Sequence, residues 1–278
     1  MTQTPITAGE MLREWRQRRR LSQLALATEA EISQRHLSFL ESGRSRPSRE
    51  MVMHLAGQLD VPLRERNAIL VAAGHAPYYP QRPLDAPELS AAKDMIGRIL
   101  DGHSPHPALA VNRHWELLAA NSAVNLLLAG IAPHLLDGTV NVLRASLHPE
   151  GLAPRIRNLA EWRGHILARL AHEIERAADP ELVALRDELM GYEPPLRHQT
   201  PGRAFSIADS KIAIPLQLIG DSGDLTFLST TTVFGTAVDV TLSEVAIEAF
   251  FPADRKTADA MSRLVAQNSD RNGWQSEA

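Results

Sequence analysis

No cysteine occurs in the 278-residue sequence. Disulfides and thiolate metal sites are therefore excluded, and the composition suits a cytoplasmic setting. No run of about 18 apolar residues is present, so no membrane span is expected. The opening residues, with Thr2, Gln3 and Glu10, lack the basic-then-apolar pattern of an export signal. There is no internal repeat, no low-complexity tract and no glycine-rich phosphate cradle, so transferase or oxidoreductase chemistry has no anchor residues. Gly220-Asp221-Ser222-Gly223 has the look of a serine-hydrolase nucleophile segment. A nucleophilic serine needs a base, usually histidine, and no histidine follows His198. The motif lies between two strand-like runs and reads as a hairpin turn. His103 and His106 flank a loop-like Ser-Pro pair, and His172-Glu173 lacks the second histidine of a zinc helix. Neither a catalytic nor a metal site is expected.

Lysine is missing from residues 1–82, which carry 12 arginines and 8 acids, a net charge of +4. The remainder carries 17 basic and 25 acidic residues, a net charge of −8, giving the total of −4. A basic front end on an acidic chain is the electrostatic signature of one nucleic-acid-binding domain. Arg13, Arg16, Arg18, Arg19 and Arg20 precede residues 21–43, and Arg44, Arg46 and Arg49 follow them.

Residues 21–43 read as two short helices joined by a tight turn. Ser22 and Ser33 are placed to cap them. Leu26, Ala27 and Ala30 face inward on the first helix, and Leu37 and Leu40 continue the inward stripe from Ile32. Gln34, Arg35 and Ser38 point the other way on the second helix. Their side chains suit base edges in the major groove, Gln pairing with adenine and Arg with guanine. Ser33, Gln34, Arg35 and Ser38 are the expected base contacts, and Gln23, Arg44 and Arg46 the expected phosphate contacts. Met11, Leu12, Trp15 and Leu21 supply a preceding helix. Ser48 starts a fourth helix, carrying Met51, Val52, Leu55 and Leu59, and Leu63, Ile69 and Leu70 suit a fifth.

The pattern Ser22-Gln23, Leu26-Ala27, Ala30, Ile32-Ser33, Leu37-Ser38, Leu40-Glu41, Gly43 closely resembles the Cro/C1-type (XRE) helix-turn-helix regulators. That family usually has glycine at the turn, where this chain has Glu31. A non-glycine residue there costs about 1 kcal/mol.

Three prolines in Pro77–Pro83 predict a stiff, extended connector. A helix is expected from about Glu88 to Leu100. Residues 108–112 and 115–120 read as two strands joined by Arg113-His114, although the second could equally be helix. Asn121 is placed to cap a helix carrying Val124, Leu127 and Leu128. Pro154 opens a long amphipathic helix through Ile156, Leu159, Trp162, Ile166, Leu170 and Ile174, and another runs from about Glu181 to Met190. Residues 211–219, 225–233 and 245–251 read as strands, and residues 267–278 as a frayed polar tail.

Pro107–Asn121 resembles the start of the MmyB-like ligand-binding domain. Asn141–Arg144, Trp162, Asp179–Leu182 and Phe234–Thr236 fit the same family, as do Arg44–Glu50 and Val61–Asn67. The resemblance covers roughly residues 8–260. It implies a PAS-like sensor fused to an XRE-type DNA reader, and an apolar, plausibly long-chain acyl, ligand. Pocket walls would come from Leu117, Val124, Leu127, Leu128, Leu143, Trp162, Ile166, Phe227 and Phe234, and polar anchors from Asn121, Arg144 and His148. Arg144 is the best carboxylate anchor of these, because its fork matches that shape.

The expected class is α+β: an N-terminal five-helix all-α domain (residues 1–76), a linker and connecting helix (77–100), a PAS-like domain of about five antiparallel strands with inserted helices (101–265), and a polar tail (266–278). The expected function is a cytoplasmic, homodimeric regulator that reads operator DNA and senses a small apolar ligand, possibly a fatty acid. The alternative is a DNA-binding regulator whose second domain only dimerises or docks a protein partner.

Overall fold

The computed structural model describes residues 6–193, 213–220 and 223–273, with side chains described up to 267. Lys211 and Ile212 of the expected strand, Asp221 and Ser222 of the expected turn, and His198 lie outside the described residues. The chain forms two compact units, one of residues 1–83, 175–178 and 236–243, the other of 84–174, 179–235 and 244–278.

The first unit contains α1 (Ala8–Arg18), α2 (Gln23–Glu29), α3 (Gln34–Glu41), α4 (Arg49–Gln58) and α5 (Leu63–Ala72). Thr7 and Glu10 form a capping box at α1. The hydroxyls of Ser22, Ser33 and Ser48 accept from the backbone N–H three residues on, at 3.0, 3.1 and 3.2 Å. Leu12, Leu26, Leu37, Leu55 and Ile69 close a dry core. Glu31 sits at the α2–α3 turn with φ of +52°, so this residue adopts the left-handed conformation expected of glycine there. Gly9 is where α1 crosses α3 most closely: a Cβ there would lie 2.0 Å from the Leu40 carbonyl oxygen.

Residues 77–83 do not stand free as a connector. The Asn67 side chain accepts from the Tyr78 and Tyr79 N–H groups at 2.9 and 3.0 Å and donates to the Tyr79 carbonyl at 2.7 Å, folding the segment onto α5. The same unit contains α11 (Val240–Ser243). Val240 N–H donates to the Pro80 carbonyl, and Arg82 pairs with Asp239 at 3.1 Å.

The second unit opens with a 3-10 turn at Pro87–Leu89 and α6 (Ser90–Gly102). Five strands follow: β1 (Ala108–Val111), β2 (Leu117–Ala120), β3 (Leu216–Leu218), β4 (Leu225–Val233) and β5 (Ala246–Pro252). They pair antiparallel in the order β2-β1-β5-β4-β3. Between β2 and β3 lie α7 (Ser122–Leu128), α8 (Val142–Leu147), α9 (Leu159–Ala177) and α10 (Pro180–Gly191). This is the expected PAS-like layout. Period-two alternation sorts the strands. Ala108, Ala110 and Ile247 join Ile96 and Leu100 of α6, while Leu109, Val111, Ala246 and Phe250 join the larger core on the opposite face.

Several local expectations change. The β1–β2 connection spans residues 112–116 rather than Arg113-His114 alone. The Asn112 carboxamide oxygen accepts from the His114 and Glu116 N–H groups, and Trp115 has φ of +65°. The long amphipathic helix does not run from Pro154: a 3-10 turn at Ala153–Arg155 comes first, and Ile156 bridges Leu218 before α9 begins. The C-terminal segment forms α12 (Arg255–Gly273), so residues 267–273 are helical rather than frayed. Met261 of α12 is fully buried, and Leu264 and Val265 pack against the same core.

Candidate nucleic-acid interface and ligand pocket

In the first unit, Ser33, Gln34 and Arg35 are exposed and Ser38 is half-buried, all near the start of α3. Leu37 and Leu40 hold the opposite face in the core. Phe39, which sequence reasoning passed over, organises the basic groups: the Arg35 and Arg44 guanidiniums lie 5.3 and 5.8 Å from its ring centroid. The detectable signal was the i,i+4 spacing of Arg35 and Phe39.

Behind α3, Glu41 receives Arg16 in a buried fork, Nε to Oε1 at 2.6 Å and Nη2 to Oε2 at 2.8 Å. This contact holds the Arg16 pKa above its ordinary value, the Glu41 hydrogen bonds outweighing burial. Gln23 donates to the same carboxylate at 2.8 Å, so part of the amide expected on a phosphate serves to join α2 to α3. Arg19 caps the end of α4 by donating to the Leu59 and Asp60 carbonyls. Arg16 and Arg19 are thus structural members of the arginine-rich stretch. Arg44 and Arg46 are exposed, Arg46 lying over Gly74.

In the second unit, a cavity of about 100 Å³ lies between the sheet and helices α7–α9. A single water needs only about 10–15 Å³, so this space is several-fold larger than one water requires. Leu109, Leu117, Val124, Leu127, Leu128, Val142, Leu143, Leu152, Trp162, Ile166, Leu216 and Phe250 supply apolar walls. Of the expected pocket residues, Leu117, Val124, Leu127, Leu128, Leu143, Trp162 and Ile166 line this space, Trp162 donating from Nε1 to the Ser146 hydroxyl at 3.1 Å.

The other expected pocket residues are placed differently. Phe227 is fully buried in the adjoining core and does not reach the cavity, and Phe234 packs on the α6 side of the sheet. Asn121 occupies the α7 cap position, its backbone carbonyl accepting from Val124 N–H, but its side chain makes no bond to that helix. Its carboxamide accepts from Ala108 N–H and donates to the Leu100 and His106 carbonyls, tying the hairpin to α6. Arg144 forks onto Glu188 at 2.7 Å through both Nε and Nη2, and Glu188 also accepts from the Tyr192 hydroxyl. Arg144 is therefore no carboxylate anchor for the cavity: a carboxylate of the protein already occupies its fork. His148 gathers with His134 and Glu150 outside the cavity.

The polar end of the cavity comes from residues that sequence reasoning missed. Arg169 of α9 forks onto Glu248 of β5, at 3.1 Å from Nη1 and 2.8 Å from Nη2. It also donates from Nε to Glu173 and stacks on Trp115, 4.4 Å from the ring centroid. Thr231 donates to Glu248 across the β4–β5 pair at 2.9 Å. His165 and Ser229 complete this end. Burial, and then the nearby Arg169 charge, lower the His165 pKa. The signals were present: Arg169 lies three residues past Ile166 on an apolar helix stripe, and Glu248 interrupts the inward series Ala246, Phe250.

An exposed polar helix on a basic helical unit, and a sheet domain enclosing an apolar space, define a DNA-binding transcription regulator with a ligand-binding domain. The helix-turn-helix family model matches residues 12–66. The model of the MmyB-like transcription regulator ligand binding domain matches residues 92–264, and the chain belongs to that family. No curated protein matches it. Both matched families are regulator domains rather than enzymes. Among the described residues no helix is long and apolar enough to cross a membrane.

Proposed function

We propose that this chain is a cytoplasmic, sequence-specific regulator that binds operator DNA as a homodimer and responds to a small apolar ligand of the fatty-acyl class. Ser33, Gln34, Arg35 and Ser38 read base edges, while Gln23, Arg44 and Arg46 engage phosphates. A two-fold dimer would read half-sites about 34–36 Å apart. A ligand in the apolar cavity alters DNA binding only through unequal affinity for two states of the protein. The single observation that carries the reading is the cavity itself, walled mostly by apolar side chains with a few polar groups gathered around Arg169 and Glu248. A second unit serving only to dimerise or dock a protein has no need of such a space.

Two measurements test this. Denaturing mass spectrometry of the purified protein should reveal a co-purified acyl compound in stoichiometric amount; a clean protein that binds no acyl compound added afterwards rejects the sensor role. Binding-site selection should give one operator motif for the native chain and relaxed motifs for Gln34→Ala and Arg35→Ala, each costing about 1–3 kcal/mol against the preferred base. An equal loss on every sequence rejects base reading by those residues.

A further inference from the structure

The polar end of the cavity is chemically specific. A guanidinium in an apolar pocket ordinarily invites a carboxylate, through charge and through the match of its fork. In this pocket the protein has supplied that carboxylate itself. Glu248 is buried at 4% exposure and meets both terminal nitrogens of Arg169. Glu173 takes the Nε donor, and its other oxygen accepts from the Trp115 indole N–H at 2.9 Å. The Trp115 ring fixes the guanidinium from the side. Two carboxylates therefore surround one cation. A third, brought in on a ligand, would meet the like charge of Glu248, which is buried and poorly screened. Each of the four carboxylate oxygens already accepts from Arg169, Thr231 or Trp115, so a cationic head would displace one of these bonds and set a second positive charge beside Arg169.

What the site still offers is hydrogen bonding without charge. The guanidinium has five N–H donors, of which Glu248 and Glu173 take three. His165, held toward its neutral form, and the Ser229 hydroxyl face the same space.

We propose that the cavity takes a neutral acyl derivative, an ester, amide or alcohol whose oxygen accepts from Arg169, and rejects the free carboxylic acid, with Glu248 as the residue that sets this choice. This rests on the reading of the cavity as the ligand site.

The test uses the full-length protein and three probes of equal chain length: dodecanoic acid, its methyl ester and dodecylamine. Trp115 and Trp162 line the cavity, so quenching of tryptophan fluorescence reports occupancy. The methyl ester should bind about tenfold tighter than the acid or the amine at neutral pH. Glu248→Gln removes the resident charge and keeps the shape. It should raise the affinity for the acid relative to the ester by about tenfold. An acid or amine that binds the native protein as tightly as the ester overturns the head-group assignment while leaving the cavity as a ligand site. Failure of all three probes overturns the cavity reading itself, and this inference with it. The native-protein series decides the head-group preference even where Glu248→Gln does not fold, and an unchanged acid-to-ester ratio in folded Glu248→Gln overturns Glu248 as its determinant.

Discussion

Several charged side chains buried in this molecule are paired with one another. Glu41, at 3% exposure, holds Arg16 at 8%, and removing one member of such a pair strands the other in the core. Glu41→Ala should therefore cost about 3–5 kcal/mol, read as a lower urea midpoint, and loosen α3 through the lost Gln23 contact. Tyr192 offers a spectroscopic check on the Arg144–Glu188 cluster. Burial, and then the Glu188 contact, push its pKa from 10.0 to about 12. A raised folded-state pKa means that this stabilisation is complete below the unfolded value of 10.0 and is lost as pH rises through about 12. An alkaline absorbance titration should show a late tyrosine ionisation that disappears in Tyr192→Phe.

Elements are set by close approaches as much as by pattern. Replacing Gly9 with alanine would gain up to about 1 kcal/mol of helix propensity. It would also drive a Cβ to 2.0 Å from the Leu40 carbonyl oxygen, an overlap costing about 3 kcal/mol. The clash wins, so Gly9→Ala should lower thermal stability and DNA affinity together. Glu31→Gly should do the reverse for stability. Relief of about 1–2 kcal/mol in the left-handed region exceeds the roughly 0.5–1 kcal/mol entropic cost of glycine, and the melting temperature should rise. The five helices and the exposed face of α3 were legible because capping serines and 3.6-residue spacing are local signals. The same local logic misplaced Asn121 and Arg144, whose partners are set by tertiary packing. Asn121 bonds to α6 and the segment before β1, and Arg144 pairs with Glu188, 44 residues away. It also missed the Arg169–Glu248 pair, whose members are 79 residues apart. α12 escaped because its polar sequence hides a short inward set, Ala260, Met261 and Leu264.

For the molecule as a whole, charge is divided between a basic DNA-binding part and an acidic remainder. Because phosphate contacts release counterions, Arg44→Ala should weaken binding evenly across sequences and reduce the slope of log affinity against log salt by about one. A changed sequence preference with an unchanged slope would move Arg44 from phosphate to base. The fold also places residues 236–243 with the first unit, although they connect β4 to β5. Ser229 and Glu248 on those strands face the cavity. Arg82→Ala loosens the Asp239 contact and should leave ligand-free DNA affinity unchanged while shrinking the ligand-induced change, as measured by operator titrations with and without the ester probe. Only residues 234–235 and 244–245 separate this pinned segment from the two strands. A shift of either strand on filling the cavity would pull on a short tether fastened to Pro80 and Arg82, so lengthening the tether with inserted glycines should leave the sensor occupied but unheard.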